Sequence, residues 1–237
     1  MNQFPSREGP FPIRLHFEAT EMDDMCLQAL KKNRFLPSSP TPIRIEAFIE
    51  SYFECTIEYE DLGPEILGCT EFTEKGRVKR VLVSKALAEN VADVVARRRL
   101  NATFAHEGGH ALFHASLFIV SGDQRQFGTE NVDFQKRRIL CRESDFSLGI
   151  QGRRAPVRWW EYQANRAIGG FLLPRPLVDV ALKGLLKSAL ITGTLHLRDE
   201  SREAAARTLS ETFDVNPAAA RIRLDALYPA SGGQALF

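Results

Sequence analysis

The spacing of apolar residues changes several times along this chain, and each change predicts an element. Residues 1 to 19 hold three prolines and no helical period, which predicts an extended or poorly ordered lead-in before Thr20 caps a short helix to about Phe35. The Pro37-Ser-Ser-Pro-Thr-Pro42 stretch is a break. Thr41 as N-cap and Pro42 at the first helical position predict a second helix to about Phe53, with Ile43, Ala47, Phe48 and Tyr52 near one face. Runs at 54–60, 66–73 and 77–84 interleave Thr, Ile, Tyr, Phe and Val with charges, and Gly63-Pro64 and Lys75-Gly76 separate them. They predict a small antiparallel meander.

A helical period then runs from about Val91 to Val120, with Leu100, Phe104, Gly108, Ala111, Leu112, Ala115 and Phe118 forming a broad apolar stripe. Residues 121 to 157 lose periodicity and gather Ser, Gly, Gln and charge, which predicts a long loop or insertion. Helical spacing returns from Arg158 to Leu173 and is closed by Pro174; further helices are expected to Tyr228, one of them started by Asn216 and Pro217. These changes divide the chain into an N-terminal extension with a short helix (1–40), a main domain (41–190) carrying the 121–157 insertion, and a C-terminal helical segment (191–237).

Composition narrows the class without selecting a function. A chain of 237 residues with 44% hydrophobic and 26% charged side chains is an ordinary globular protein. Lys and Arg number 31 against 30 Asp and Glu, so no basic excess draws it onto nucleic acid or anionic lipid. The helix pair from Thr208 to Leu224 resembles a helix-turn-helix faintly, but it mixes acids with its arginines, which argues against direct DNA binding. Cys26, Cys55, Cys69 and Cys141 form no C-x-x-C pair and read as reduced thiols. The apolar run from Ala111 to Val120 is too short to span a bilayer, which takes about 20 residues. The amino terminus shows no export pattern, so a cytoplasmic location is expected. Oligomeric state has no signature in the sequence.

The chemistry concentrates in His106-Glu107-Gly108-Gly109-His110. On an α-helix, histidines at i and i+4 lie on one face about 6 Å apart along the axis, so both imidazoles can reach one metal ion. Glu107 points to an adjacent side, where a general base for a water molecule would sit. Two glycines inside a helix cost roughly 2 kcal/mol relative to alanine, and close approach of another backbone or of a substrate would explain them. A catalytic zinc keeps three protein ligands, so a third is needed. His114 and Glu161 are the candidates. His114 stands about 12 Å from His106 along a straight helix, which ranks it behind the ligands rather than among them. Glu161 opens a separate helix on which Ala164, Ile168, Phe171 and Leu172 can pack near the first. Trp159 and Trp160 precede it, and at least one is expected in the core.

His106-Glu-Gly-Gly-His110 followed by Glu161-x-x-Ala164-Asn165 and Leu172-Leu-Pro174 resembles the ImmA/IrrE family of zinc-dependent metallopeptidases. The resemblance covers roughly residues 40 to 228, including the strand region and the ending Phe213-Asp-Val-Asn-Pro-Ala-Ala-Ala220-Arg-Ile-Arg-Leu224. It implies a zincin-like α+β fold, mostly helical, with a small three-stranded antiparallel sheet packed on the H-E-x-x-H helix. It also implies Zn2+ as cofactor, His106, His110 and Glu161 as ligands, and Glu107 as catalytic base. Asn165 would lie behind the ligands or face substrate. The implied substrate is one specific protein, a helix-turn-helix transcriptional repressor whose cleavage releases gene expression under stress. The chain departs from the family in carrying Gly109 where a bulky aliphatic residue is common, and in a long separation between His110 and Glu161. The oxyanion stabiliser is open among Tyr162, His114 and the arginines of the insertion. The alternative reading is a metal-binding regulatory module that binds a repressor or partner without cleaving it, and Glu107 separates the two, because a binding site needs no base.

Overall fold

The computed structural model describes residues 2–6, 10–120, 132–144, 158–188 and 194–230. The lead-in takes the extended of its two expected forms, and it is ordered: β1 (Asn2–Pro5) pairs antiparallel with β2 (Ile13–His16). Phe11, Ile13, Leu15 and Phe17 recur at every second position, three of them buried and Ile13 half-buried, so burial of large apolar groups holds a stretch that its prolines made look unstructured. Phe11 meets Phe118, Phe134, Trp159 and Trp160 at ring separations of 5.5–5.9 Å, and both tryptophans are buried.

Helix α1 (Ala19–Lys32) follows, and α2 (Ile45–Phe53) starts three residues later than Pro42 predicts, with Ile43 buried in the extended lead-in. The three predicted strands exist as β3 (Thr56–Glu60), β4 (Ile66–Phe72) and β5 (Val78–Ser84), but they do not form a meander. The sheet is five-stranded and mixed, in the order β3-β5-β4-β7-β6, with β3 parallel to β5. Strand β5 takes the inner place because Val81, Leu82 and Val83 are all buried, whereas Thr-Ile-Glu-Tyr-Glu in β3 suits a solvated edge. Arg80 on β5 locks the order, donating to Glu58 on β3 at 2.7 Å and to Glu71 on β4 at 2.8 Å.

The remaining strands, β6 (Val132–Asp133) and β7 (Arg138–Arg142), come from the stretch predicted to be an insertion loop. Ile139 and Cys141 face inward while their neighbours are half-exposed, the alternation of a sheet strand. Positions 121–131 and 145–157 of that loop reading, and the tail at 231–237, lie outside the described residues.

The predicted Val91–Val120 helix is two, α4 (Val94–His114) and α5 (Leu117–Val120), and a short α3 (Lys85–Ala88) precedes them. Asp93 caps α4 by accepting from the Ala96 amide at 2.8 Å. A turn at Ala115 and Ser116 ends it, which lets Phe118 stack on Phe72 with ring centroids 4.5 Å apart. Helix α6 (Trp159–Leu172) packs along α4, followed by α7 (Arg175–Ala181). The antiparallel pair β8 (Leu186–Ser188) and β9 (Leu195–Leu197) interrupts a stretch expected to hold only helices, before α8 (Arg202–Phe213) and α9 (Pro217–Leu227). The fold is thus α+β, with the sheet on one side of α4 and α6 on another.

The C-terminal helices are tied to the rest by charge. Arg223 is buried and donates to both Asp23 oxygens at 2.8 Å and to the Leu173 carbonyl at 3.0 Å, joining α9 to α1 and α6. Asp214, in the left-handed region at φ 49, accepts from Arg97 at 2.6 Å and Arg98 at 2.9 Å on α4. No helix among the described residues is long and apolar enough to cross a membrane.

Candidate metal centre

Every residue of α4 from Thr103 to Ala111 is buried, a helix hidden on all sides and not the single apolar stripe that periodicity suggests. Gly109 lets α6 approach it. A Cβ there would lie 2.7 Å from the Ala167 Cβ and 2.9 Å from the Ala164 Cα, so no side chain fits between the helices. That contact brings Glu161, one turn before Ala164, onto the histidine face of α4.

The two histidines present their Nε2 atoms to each other at 3.0 Å. The Glu161 Oε2 is 3.2 Å from the His106 Nε2 and 3.4 Å from the His110 Nε2. Both Glu161 oxygens are buried and accept no well-directed hydrogen bond, so these approaches are short without being satisfied. Metal bonds of about 2.0–2.1 Å at the tetrahedral angle place donor atoms roughly 3.3 Å apart, which matches this triangle. The donor set of two imidazoles and one carboxylate therefore fits a divalent ion of the zinc class.

Further groups surround the triangle. The His106 Nδ1 lies 2.9 Å from the Asn165 Oδ1, one turn beyond Glu161 on α6. The His110 Nδ1 lies 3.0 Å from the His114 Nδ1; the His114 Nε2 lies 2.9 Å from the Gln163 Oε1, and Gln163 donates to the Leu15 carbonyl at 2.7 Å. His114 thus stands behind His110 and outside the triangle. Burial holds its pKa down to about 3, so the ring is neutral. Burial also lowers His110, against the pull of Glu161. For His106 burial is outweighed by Glu161, and its pKa is raised. Burial alone would raise Glu161, but the facing histidines hold it well below the usual carboxylate range.

Glu107 points toward the sheet. Its Oε2 accepts from the Thr70 Oγ1 of β4 at 2.6 Å, and β4 passes so close that a Cβ on Gly68 would sit 2.5 Å from the Glu107 Oε1. A His106 ring nitrogen, a Glu107 carboxylate oxygen and the Cys141 Sγ of β7 lie within 4.8 Å of one another. Thr70, Gly68, Gln163 and Cys141 were not singled out from sequence. Among the candidates for an oxyanion stabiliser, Tyr162 is half exposed and His114 is occupied with Gln163. Arg138 pairs with Asp133 and Arg137 with Glu74, while Arg153 and Arg154 fall outside the described residues.

Comparison with models of known protein families and with curated proteins found no match.

Proposed function

We propose that this protein is a zinc-dependent endopeptidase that cleaves a peptide bond in one specific protein. The observation that carries the reading is the triangle of the His106 Nε2, the His110 Nε2 and the Glu161 carboxylate at 3.0–3.4 Å, with a further carboxylate, Glu107, adjacent to it and oriented by Thr70. His106, His110 and Glu161 would hold the ion, which when bound supplies Lewis acidity toward the scissile carbonyl and the attacking water. Glu107 takes the proton of that water on its carboxylate and returns it to the leaving amine. Thr70 keeps the carboxylate from rotating away by fixing Oε2, and Gly68 leaves the space that Oε1 occupies. Asn165 behind His106 and His114 behind His110 keep the rings aimed.

By resemblance to the ImmA/IrrE family, the substrate is a helix-turn-helix transcriptional repressor. A non-cleaving, metal-binding regulatory module is the second reading. It is favoured by the burial of all three donors, none more than 2% exposed. The Glu107→Gln variant distinguishes the two. Zinc-loaded protein incubated with repressor-like proteins encoded beside its gene should cleave one of them. The variant should hold stoichiometric zinc and leave the repressor intact. Cleavage by the variant at the wild-type rate would remove Glu107 as the base, and binding without cleavage by either form would select the regulatory module.

A further inference from the structure

We infer that Gln163 and His114 are positioning residues: with the Leu15 carbonyl of β2 they form a hydrogen-bond chain that fixes which nitrogen of His110 carries its proton. The inference rests on reading His110 as a metal ligand. It goes beyond that reading by giving the N-terminal hairpin a part in the site.

A backbone carbonyl only accepts, so the Gln163 amide that meets the Leu15 oxygen at 2.7 Å must turn its Nε2 there. The Gln163 Oε1 then faces the His114 Nε2 at 2.9 Å and can only accept, so His114 carries its proton on Nε2. In a neutral ring the His114 Nδ1 is then a lone pair. It faces the His110 Nδ1 at 3.0 Å, so His110 donates from Nδ1. The remaining nitrogen, the His110 Nε2, is left with its lone pair directed at the His106 Nε2 and Glu161.

Each link is buried: Leu15, Gln163, His114 and His110 are all at most 4% exposed, so water cannot substitute for a lost partner without opening the core. The opposite tautomer of His110 would put a proton on Nε2, where the His106 nitrogen and the ion would have to be. Reversing it requires turning the Gln163 amide oxygen against the Leu15 oxygen, two acceptors in contact. The chain therefore couples the position of β2 to the basicity of a ligand more than ninety residues later.

The test uses the full 15N-labelled chain. Long-range proton–nitrogen spectra of the metal-free protein should show the proton of His110 on Nδ1 and that of His114 on Nε2. Gln163→Met, similar in volume but without an acceptor, should release the His114 tautomer and weaken zinc binding by about 10- to 100-fold in competition with a chromophoric chelator. Gln163→Glu keeps an acceptor toward His114 but sets a second acceptor against the Leu15 carbonyl, so it should hold the His114 proton on Nε2 while recovering only part of that loss. Wild-type His114 protonated on Nδ1, or a folded Gln163→Met with wild-type zinc affinity, overturns the inference. The expected tautomers in a wild-type protein that binds no zinc would uphold the hydrogen-bond chain and overturn the metal reading instead.

Discussion

Adding one methyl group at Gly109 should drive apart the two helices that carry the proposed metal donors. The new Cβ would stand 2.7 Å from the Ala167 Cβ, 2.9 Å from the Ala164 Cα and 3.1 Å from the Ala164 oxygen. Carbon atoms in comfortable contact stand about 3.5–4.0 Å apart, so α6 must retreat locally by roughly 1 Å. Two of the three obstacles belong to Ala164, one turn after Glu161, so the carboxylate retreats too. Its separations of 3.2 and 3.4 Å from the histidines would grow to about 4 Å or more, well outside the tolerance of about 0.2 Å on metal–ligand bonds.

Overpacking costs about 1–3 kcal/mol and the gain in helix propensity returns about 1, so Gly109→Ala should lose up to about 2 kcal/mol in urea unfolding of the metal-free protein. Zinc affinity should fall by at least about 10- to 100-fold, since a proposed ligand is itself displaced. Gly108 supplies an internal control. A Cβ there meets Phe171 and Ile49 at 3.4–3.5 Å, ordinary contact. Gly108→Ala should therefore gain up to about 1 kcal/mol and bind zinc normally. If the two variants bind zinc alike, the close approach at Gly109 does not hold Glu161 in place.

Three other variants probe separate parts of the structure. Thr70→Val removes the 2.6 Å hydrogen bond to Glu107; it should keep stoichiometric zinc while kcat on the proposed protein substrate falls roughly 10- to 100-fold, the equivalent of a charged hydrogen bond, and an unchanged kcat would show that Thr70 does not orient the proposed base. Glu161→Ala should lose zinc by elemental analysis where His114→Ala retains it in a weaker site; the reverse pattern would exchange their roles. Asp214→Asn keeps the left-handed turn but loses the charge facing Arg97 and Arg98. Hydrogen bonding to Arg97 holds the Asp214 carboxyl below its ordinary pKa, against partial burial and with help from Arg98, so the folded state binds fewer protons than the unfolded one near pH 4. The wild type's advantage over Asp214→Asn should be about 1–2 kcal/mol at pH 7, shrink as pH falls below about 4 and vanish beneath the folded pKa. A difference independent of pH would rule out the ion pair as its source.

What the sequence made legible is what helical geometry fixes locally. His106 and His110 are one turn apart and had to share a face, and Asn165 follows Glu161 by the same interval. The glycine pair pointed to close backbone approach, which Gly109 makes and Gly108 does not. The groups that orient the site were hidden because they arrive from afar: Thr70 reaches Glu107 across 37 residues and Gln163 reaches Leu15 across 148. The order of the strands was equally hidden, since alternation says which residues face inward but not which neighbour pairs with which. Two elements were readable and obscured. Phe11, Ile13, Leu15 and Phe17 have a strand's period among prolines, and Ile139 and Cys141 have it within a charged stretch.

Strand β5 follows β3 and β4 in the chain yet lies between them. During synthesis, therefore, neither earlier strand can find a neighbour in the sheet until the ribosome has released residue 84, and β4 keeps one edge open until β7 follows. A nascent chain arrested before that point would expose two strands with unfilled pairing edges, the form most open to sticking to another copy.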